Sequence, residues 1–215
     1  MGILDKKRRL LVVKEDGERD SGLKEGGALL RLGKLVVFPT ESFYGLAVDV
    51  RNEGAIARLL QVKRRSPKNP ILILIPDMQE LDRFVMRIPP QGKRLMKAFW
   101  PGGLTLIFEA ATGISPLLTA NTGKIGVRLS SHPVATGLAR ALGGPITGTS
   151  ANLAGQPACV SAQEVLSAMG DVIDLVLDGG QTPGGRGSTI LDITVQPPRI
   201  LRRGMVGEEA IERYL

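Results

Sequence analysis

The chain has 215 residues, of which 43% are hydrophobic and 4% aromatic, so its length suits one domain with an aliphatic core. Its one cysteine, Cys159, excludes an internal disulfide and suits a reducing compartment. The run after the basic N-terminal cluster is too short for a signal peptide, and no run approaches membrane-spanning length. We therefore expect a cytoplasmic protein without membrane contact.

The charge is strongly positive, with 28 Lys and Arg against 21 Asp and Glu, a formal net charge of +7. Such an excess favours polyanions, for example RNA, nucleotides or acidic membranes. A surface tuned for solubility has the same composition, so charge alone leaves the partner open. Residues 1–21 are interpreted as a solvated basic N-terminal arm.

In chain order, the first half alternates between helical and extended patterns. Residues 22–33 predict a short helix, and the apolar segment 34–40 predicts a strand stopped by Pro39. Helical spacing returns in 52–65. Residues 70–76 form a continuous apolar run between prolines, which is typical of a strand buried on both faces.

The second half continues the alternation. Ser161 and Glu164 form a capping-box pattern at one of its helix starts. The further helices are predicted at 77–85, 89–100, 132–142, 161–170 and 207–215, and the strands at 104–110, 124–130, 174–180 and 188–194. This interleaving predicts an α/β or α+β fold with a mainly central sheet. We place one domain at 22–205, followed by a C-terminal helix at 206–215.

Several familiar chemistries are excluded by composition. His132 and Cys159 are the only residues of their kinds, and no nucleophile-elbow pattern accompanies them, so an ordinary catalytic triad or zinc site is not supported. A P-loop motif is absent, and a Rossmann fingerprint is not supported. We interpret His132, which precedes a proline, as a helix-start residue and Cys159 as a buried small hydrophobe.

Seven segments share one construction, an apolar strand followed by a small polar cluster with glycines, hydroxyls and cations. Lys63 and Arg65 would share a face if their segment is extended, as Pro67 favours. The segments are Thr40–Tyr44, 63–70, Thr105 after two glycines, Arg128, 147–155, 185–190 and 201–204. Each one alone fits an ordinary turn, cap or surface loop. Together they favour an anionic ligand held by positioning and electrostatics, as in nucleotidyl transfer.

The segment "PTESFYGLAVD" resembles the signature of the YrdC-like family of threonylcarbamoyl-AMP synthases. Six more segments resemble family motifs and follow in family order over residues 22–205: "KRRSPKNPI", "WPGGLTLIF", "VRLSSHPVA", "TGTSANLAG", "GSTILDI" and "ILRRG". The chain departs from the family pattern at Leu74, Ala154 and Gly187. The resemblance implies a single domain with an open, twisted mixed sheet flanked by helices, and with a basic concave surface.

The resemblance also implies an activity. Family members use ATP, L-threonine and bicarbonate, with Mg²⁺, to make L-threonylcarbamoyl-AMP and pyrophosphate. A separate downstream transferase then passes the threonylcarbamoyl group to the adenosine beside the anticodon of ANN-decoding tRNAs. The nucleophile is the carbamate of the substrate, so the protein needs alignment and charge stabilisation and no nucleophile of its own.

Roles carry over residue by residue from the family motifs. Lys63 and Arg65 are expected to be catalytic, and Tyr44 to form a pocket wall. Threonine is expected to meet Thr40, Ser42, Lys63 and Ser188. The nucleotide is expected to meet Arg65, Asn69, Thr105, Arg128, Ser150, Asn152 and Arg202. No metal ligand is assigned.

Two other functions remain open at this point. One is a non-catalytic RNA-binding or ribosome-maturation protein with the same fold, which would bind tRNA or double-stranded RNA. The other is a carbamoyl-adenylate enzyme for a different amine. Phosphate contacts alone need Lys and Arg, so convergence of the hydroxyl and amide residues would favour the enzyme.

Overall fold

The computed structural model describes residues 10–13, 21–66 and 68–215, so most of the predicted N-terminal arm lies outside the described residues. Seven α-helices are found there: α1 Ser21–Arg31, α2 Glu53–Lys63, α3 Pro90–Phe99, α4 Pro116–Thr119, α5 Pro133–Leu142, α6 Ala162–Met169 and α7 Glu208–Glu212. Over the same residues, no helix is long and apolar enough to cross a membrane.

Eleven strands alternate with these helices. They are β1 Leu10–Val12, β2 Val36–Pro39, β3 Tyr44–Ala47, β4 Ile73–Leu74, β5 Leu104–Glu109, β6 Lys124–Arg128, β7 Ile146–Thr147, β8 Thr149–Ser150, β9 Leu175–Asp178, β10 Thr189–Asp192 and β11 Arg199–Arg202. The α/β class and the single mixed domain are therefore confirmed.

The expectation of one central sheet is wrong, because the strands divide into two mixed sheets. The first has the order β1-β9-β2-β3-β8 and the second β11-β10-β5-β6-β4-β7. Gly148 separates β7 from β8, so the chain passes from the second sheet to the first within one residue. The Thr147 amide donates to Val48 O at 3.1 Å, and its hydroxyl donates to Leu46 O at 3.0 Å. These bonds join β7, an edge strand of the second sheet, to the chain of β3 in the first sheet.

Two aliphatic clusters fill the interior. The larger one contains buried residues of both sheets, and the smaller one lies between the first sheet and the helices α1 and α5. Gly27 lets α1 approach α5 closely, since a Cβ at this position would lie 2.6 Å from the carbonyl carbon and oxygen of Ala141. The strand β1, in the region predicted as a solvated arm, pairs in parallel with β9.

The predicted helix starts are confirmed at three positions. The Asn52 side chain accepts from Ala55 N at 2.9 Å, and Ser161 Oγ accepts from Glu164 N at 3.3 Å. His132 is the N-cap of α5, and its side chain accepts from Val134 N. Each cap satisfies an amide that the first helical turn leaves without a partner.

Three element predictions need correction. The helix predicted at 52–65 ends at Lys63, because Arg64 takes a left-handed conformation with φ 51°. The apolar run 70–76 pairs as a strand only at Ile73–Leu74. The helix predicted at 77–85 is a 3-10 helix over Met78–Arg83.

Candidate functional site

A cavity of about 390 Å³ lies between the two sheets, where the polar segments after several strands meet. Eight of the eleven residues predicted for the site line this cavity. They are Thr40, Ser42, Arg65, Thr105, Arg128, Ser150, Ser188 and Arg202. The remaining three, Lys63, Asn69 and Asn152, lie outside the lining.

Three arginines give the cavity its charge. Arg65 follows α2, Arg128 ends β6, and Arg202 ends β11. Burial lowers the pKa of Arg202 below its ordinary value, and the charges of Arg128 and Arg65 lower it further. The lining residues in the described part of the chain include no Asp or Glu. Such a surface favours an anion, because guanidinium groups donate to carboxylate and phosphate in a fixed geometry.

A pair of hydroxyls lies next to Arg202. Thr105 Oγ1 and Ser188 Oγ are 2.8 Å apart, and both residues are buried. Arg202 donates from Nε and Nη2 to Ser188 O at 3.1 and 2.9 Å, and from Nη2 to Ser188 Oγ at 3.0 Å. The pairing of β10 with both β5 and β11 brings these three residues together.

The turn between β2 and β3 forms the opposite wall. Thr40 Oγ1 donates to Phe43 O at 2.6 Å and accepts from the amides of Ser42 and Phe43, each at 3.3 Å. These bonds close a compact turn and leave Ser42, which is 6% exposed, on the cavity wall. A proline at the end of β2 stops the strand as the sequence predicted.

Tyr44 lines the cavity, and its hydroxyl is already engaged in the protein. It donates to Gly180 O at 2.6 Å and to Asp178 Oδ1 at 3.2 Å. Burial, and then the charge of Asp178, raise the pKa of this phenol. The ring therefore forms a fixed wall, and the hydroxyl holds the segment after β9.

Lys63 is not on the cavity wall, and the extended segment predicted around it is wrong. It is the last residue of α2 and is 2% exposed. Its amine donates to the carbonyl of Ser150, to the carbonyl of Asn152 at 2.6 Å and to Asn152 Oδ1 at 3.1 Å. The left-handed Arg64 turns the chain, so that Arg65 reaches the cavity while Lys63 supports the Ser150–Asn152 turn from behind.

The two predicted asparagines also lie outside the lining. Asn152 Oδ1 accepts from Ser150 Oγ at 2.6 Å, so the amide orients a hydroxyl of the cavity wall. Asn69 meets Arg65 through its backbone, since Arg65 donates to Asn69 O at 3.4 Å and to Pro70 O at 2.8 Å. Both asparagines thus contact residues that line the cavity.

Glu41 is a residue of this region that the sequence analysis did not single out. Its Oε2 accepts from Arg128 Nη1 at 3.0 Å, and its Oε1 accepts from Ser130 Oγ at 2.7 Å and from Ser131 N at 2.6 Å. Burial alone would raise the pKa of Glu41, but Arg128 and these hydrogen bonds hold it below its ordinary value. The sequence feature that could have pointed to Glu41 is its position inside the "PTES" segment.

Comparison with known proteins identifies the family of this chain. The family model Sua5_yciO_yrdC, described as "Telomere recombination", matches residues 28–204. The chain belongs to this Sua5/YciO/YrdC family. The YrdC-like resemblance read from the sequence motifs is therefore confirmed.

Curated relatives cover most of the chain. The threonylcarbamoyl-AMP synthase of Bacillus subtilis is 37% identical over 205 residues, which are 95% of this chain and 59% of the relative. That of Pyrococcus abyssi is 35% identical over 90% of this chain and 57% of the relative. A putative threonylcarbamoyl-AMP synthase of Mycobacterium tuberculosis is 35% identical over 92% of this chain and 91% of the relative. The chain thus spans less than two thirds of the first two relatives.

Solved structures of the family share the fold. P. abyssi Sua5 complexed with L-threonine superposes with a TM-score of 0.91 at 34% identity, over 96% of this chain and 60% of that chain. E. coli YciO superposes with a TM-score of 0.84 at 25% identity, over 95% of this chain and 99% of that chain. The overall fold of this chain is therefore shared with these members of the family.

Proposed function

We propose that this protein is a nucleotidyltransferase that forms L-threonylcarbamoyl-AMP and pyrophosphate from ATP, L-threonine and bicarbonate. The observation that carries the proposal is the cavity between the sheets, where three arginines and several buried hydroxyls converge. The names of the curated relatives support it. So does the L-threonine in the structure of P. abyssi Sua5.

The cavity offers donors for both substrates. Arg65, Arg128 and Arg202 would divide the threonine carboxylate and the ATP phosphates among them. Ser42 and the Thr105–Ser188 pair would recognise the threonine hydroxyl. A site that hydrogen-bonds a substrate hydroxyl rejects analogues that lack it, because its own buried polar groups are then left without partners.

The reaction needs no nucleophile from the protein. The amine of threonine condenses with bicarbonate to give a carbamate and water. A carbamate oxygen then forms a bond to the α-phosphorus of ATP as the bond from that phosphorus to the β-phosphate oxygen breaks. The pyrophosphate leaves with that electron pair, and nearby guanidinium groups stabilise the charge that develops on the phosphate oxygens.

Magnesium would enter as the complex with ATP. The cavity wall presents hydroxyls and guanidinium groups, whereas Mg²⁺ is usually held by carboxylates, substrate phosphates and water. The triphosphate and water would therefore supply most of its ligands. Ser150 lies on the wall where a hydroxyl could meet that complex.

The product would be handed to a separate transferase that modifies ANN-decoding tRNAs, and the protein would act in the cytoplasm. Direct binding of tRNA or double-stranded RNA is compatible with the net charge of +7. The buried Thr105–Ser188 pair favours the enzyme over a purely RNA-binding protein, because a backbone-binding surface works through exposed cations.

The test is pyrophosphate release by the purified protein with ATP, Mg²⁺ and bicarbonate, in the presence and absence of L-threonine. We expect release that requires both threonine and bicarbonate. L-Serine and 2-aminobutyrate, which lack the methyl and the hydroxyl respectively, are the matched controls for substrate choice. Equal pyrophosphate release with another amine would mean that L-threonine is not the specific substrate. If the protein binds RNA and releases no pyrophosphate, the RNA-binding alternative is favoured.

A further inference from the structure

We propose that Glu41 is a positioning residue, which holds the Arg128 guanidinium in the orientation that receives an oxyanion of the substrate. Nothing in the family motifs assigned this carboxylate a role. The inference rests on the proposed function in one respect, since the oxyanion belongs to ATP or to L-threonine. It concerns the carboxylate behind the cavity wall and not a group that contacts the ligand.

Both side chains of the Glu41–Arg128 ion pair are largely shielded from solvent. The side chain of Arg128 is 6% exposed and that of Glu41 is 10% exposed, and their atoms Nη1 and Oε2 are 3.0 Å apart. Arg128 Nε is buried and has no hydrogen-bond partner among the described residues. Glu41 therefore accepts from Nη1 of the guanidinium. Arg128, which lines the cavity, keeps its Nε–H as a donor without a partner among the described residues.

The two oxygens of Glu41 have separate tasks. Oε2 accepts from Arg128, whereas Oε1 accepts from Ser130 Oγ, Ser131 N and Ser131 Oγ. The first oxygen thus fixes a ligand-facing cation, and the second fixes the turn that leads into α5. A substitution can separate these tasks, because an amide has one acceptor where the carboxylate has two.

The pair also spans the two sheets. Glu41 lies in the turn after β2 of the first sheet, and Arg128 is the last residue of β6 in the second sheet. Their contact therefore ties a turn of the first sheet to a strand of the second. Positioning of this kind matters because a misplacement of about 1 Å can reduce catalysis a hundredfold.

The surrounding charge explains why Arg128 needs such a partner. Arg65 and Arg202 line the same cavity as Arg128, and the charges of Arg128 and Arg65 add to burial in lowering the pKa of Arg202. In the absence of ligand, this repulsion favours movement of Arg128 away from the cluster. A buried carboxylate on the far side opposes that movement without placing a negative charge on the cavity wall.

The test compares Glu41→Gln with the wild type by calorimetric titration of ATP and of L-threonine, and by kcat and KM for pyrophosphate release. The amide oxygen can replace Oε1 and keep the serine bonds, while the NH₂ group then faces Arg128 as a second donor. We expect binding of one or both ligands to weaken about ten- to a hundredfold, the range seen when outer partners of metal-binding groups are removed. The two titrations show whether the oxyanion belongs to ATP or to L-threonine.

Two controls separate positioning from a general loss of structure. Asp174→Asn breaks the partly buried Arg58–Asp174 ion pair, which lies outside the cavity lining, and should leave ligand binding unchanged. A double-mutant cycle with Arg128→Met should be strongly non-additive, because Glu41 would act through Arg128. Glu41→Asp keeps the charge on a shorter side chain, and it replaces Glu41→Gln in the same measurements if the amide variant does not fold.

Each outcome is decisive. Wild-type binding by Glu41→Gln, or additive effects in the cycle, would overturn the positioning role. Weaker binding by Glu41→Gln in a protein that releases no pyrophosphate would support the positioning role while the proposed reaction fails. Wild-type protein that binds neither ligand would overturn both proposals.

Discussion

At the scale of single residues, Lys63 shows how burial changes the behaviour of a common cation. Burial lowers its pKa to about 8, and the charge of Arg65 acts in the same direction. Three oxygens of the turn from Ser150 to Asn152 accept from the amine. The side chain therefore ties the end of α2 to a wall of the cavity, at the cost of a buried charge.

This burial predicts a pH dependence of stability. Between about pH 8 and the ordinary value of 10.5, the unfolded chain holds the Lys63 proton and the folded chain has lost it. The contribution of this group to the free energy of unfolding must then rise with pH, by on the order of 1 kcal/mol between pH 8 and 9.5. Urea unfolding of wild type and Lys63→Met at both pH values measures the difference.

The exposed Lys97 in α3 supplies the matched control. Lys97→Met should keep the pH-dependent rise of the wild type, whereas Lys63→Met should lose it. If the stability difference between wild type and Lys63→Met stays constant from pH 8 to 9.5, the lowered pKa of Lys63 is wrong.

Some residues of the cavity could be predicted from the sequence and others could not, for physical reasons. Arg128 and Arg202 each end a strand, and strand ends meet at the edges of sheets, so their placement on one cavity was predictable. Lys63 was misplaced because a left-handed Arg64, which is uncommon for a residue with a Cβ, reverses the local direction. Glu41 was missed because a carboxylate beside an anion site is unexpected until its ion pair with Arg128 is known.

At the scale of elements, the close approach of α1 to α5 depends on glycine. Gly27 lies where a Cβ would meet the backbone of Ala141 at 2.6 Å and the amide of Leu142 at 2.9 Å. Backbone atoms cannot move aside as a flexible side chain can. The two helices would have to separate, and the cluster between them and the first sheet would loosen.

We therefore predict that Gly27→Ala destabilises the fold by about 1–3 kcal/mol, the usual cost of overpacking, despite the higher helix propensity of alanine. Gly54→Ala is the matched control. It lies in α2 and is exposed, and its Cβ would meet only Asn52 Oδ1 at 3.4 Å. This variant should be neutral or more stable, as measured by urea unfolding. Equal stability of both variants would show that the helix pair adapts without cost.

Elements with strong local signals were predicted well, and short elements were not. The caps at Asn52, His132 and Ser161 are local hydrogen bonds, so neighbouring residues encode them. The strands β7 and β8 have two residues each, which is too short for an alternating pattern. Because these strands carry the chain from one sheet to the other, the division into two sheets could not be read from the sequence.

At the scale of the whole molecule, the cavity is a property of both sheets together. Thr40 and Ser42 follow a strand of the first sheet, whereas Thr105, Arg128 and Ser188 belong to the second or border it. A ligand that contacts both walls must lower the free energy of the folded state relative to the unfolded chain, which has no such cavity. Binding should therefore stabilise the domain as one unit.

This coupling gives a prediction about thermal unfolding. ATP at about 100 times its Kd should add about 2.7 kcal/mol, which corresponds to about 5–10 °C in Tm for a domain of this size. Adenosine at the same concentration is the matched control, because it lacks the triphosphate that the three arginines attract. We expect a smaller shift with adenosine, and a shift with ATP that decreases with added salt as the charges are screened. Equal shifts with ATP and adenosine would mean that the arginine cluster does not hold the phosphates, and the nucleotide would have to be placed elsewhere on the molecule.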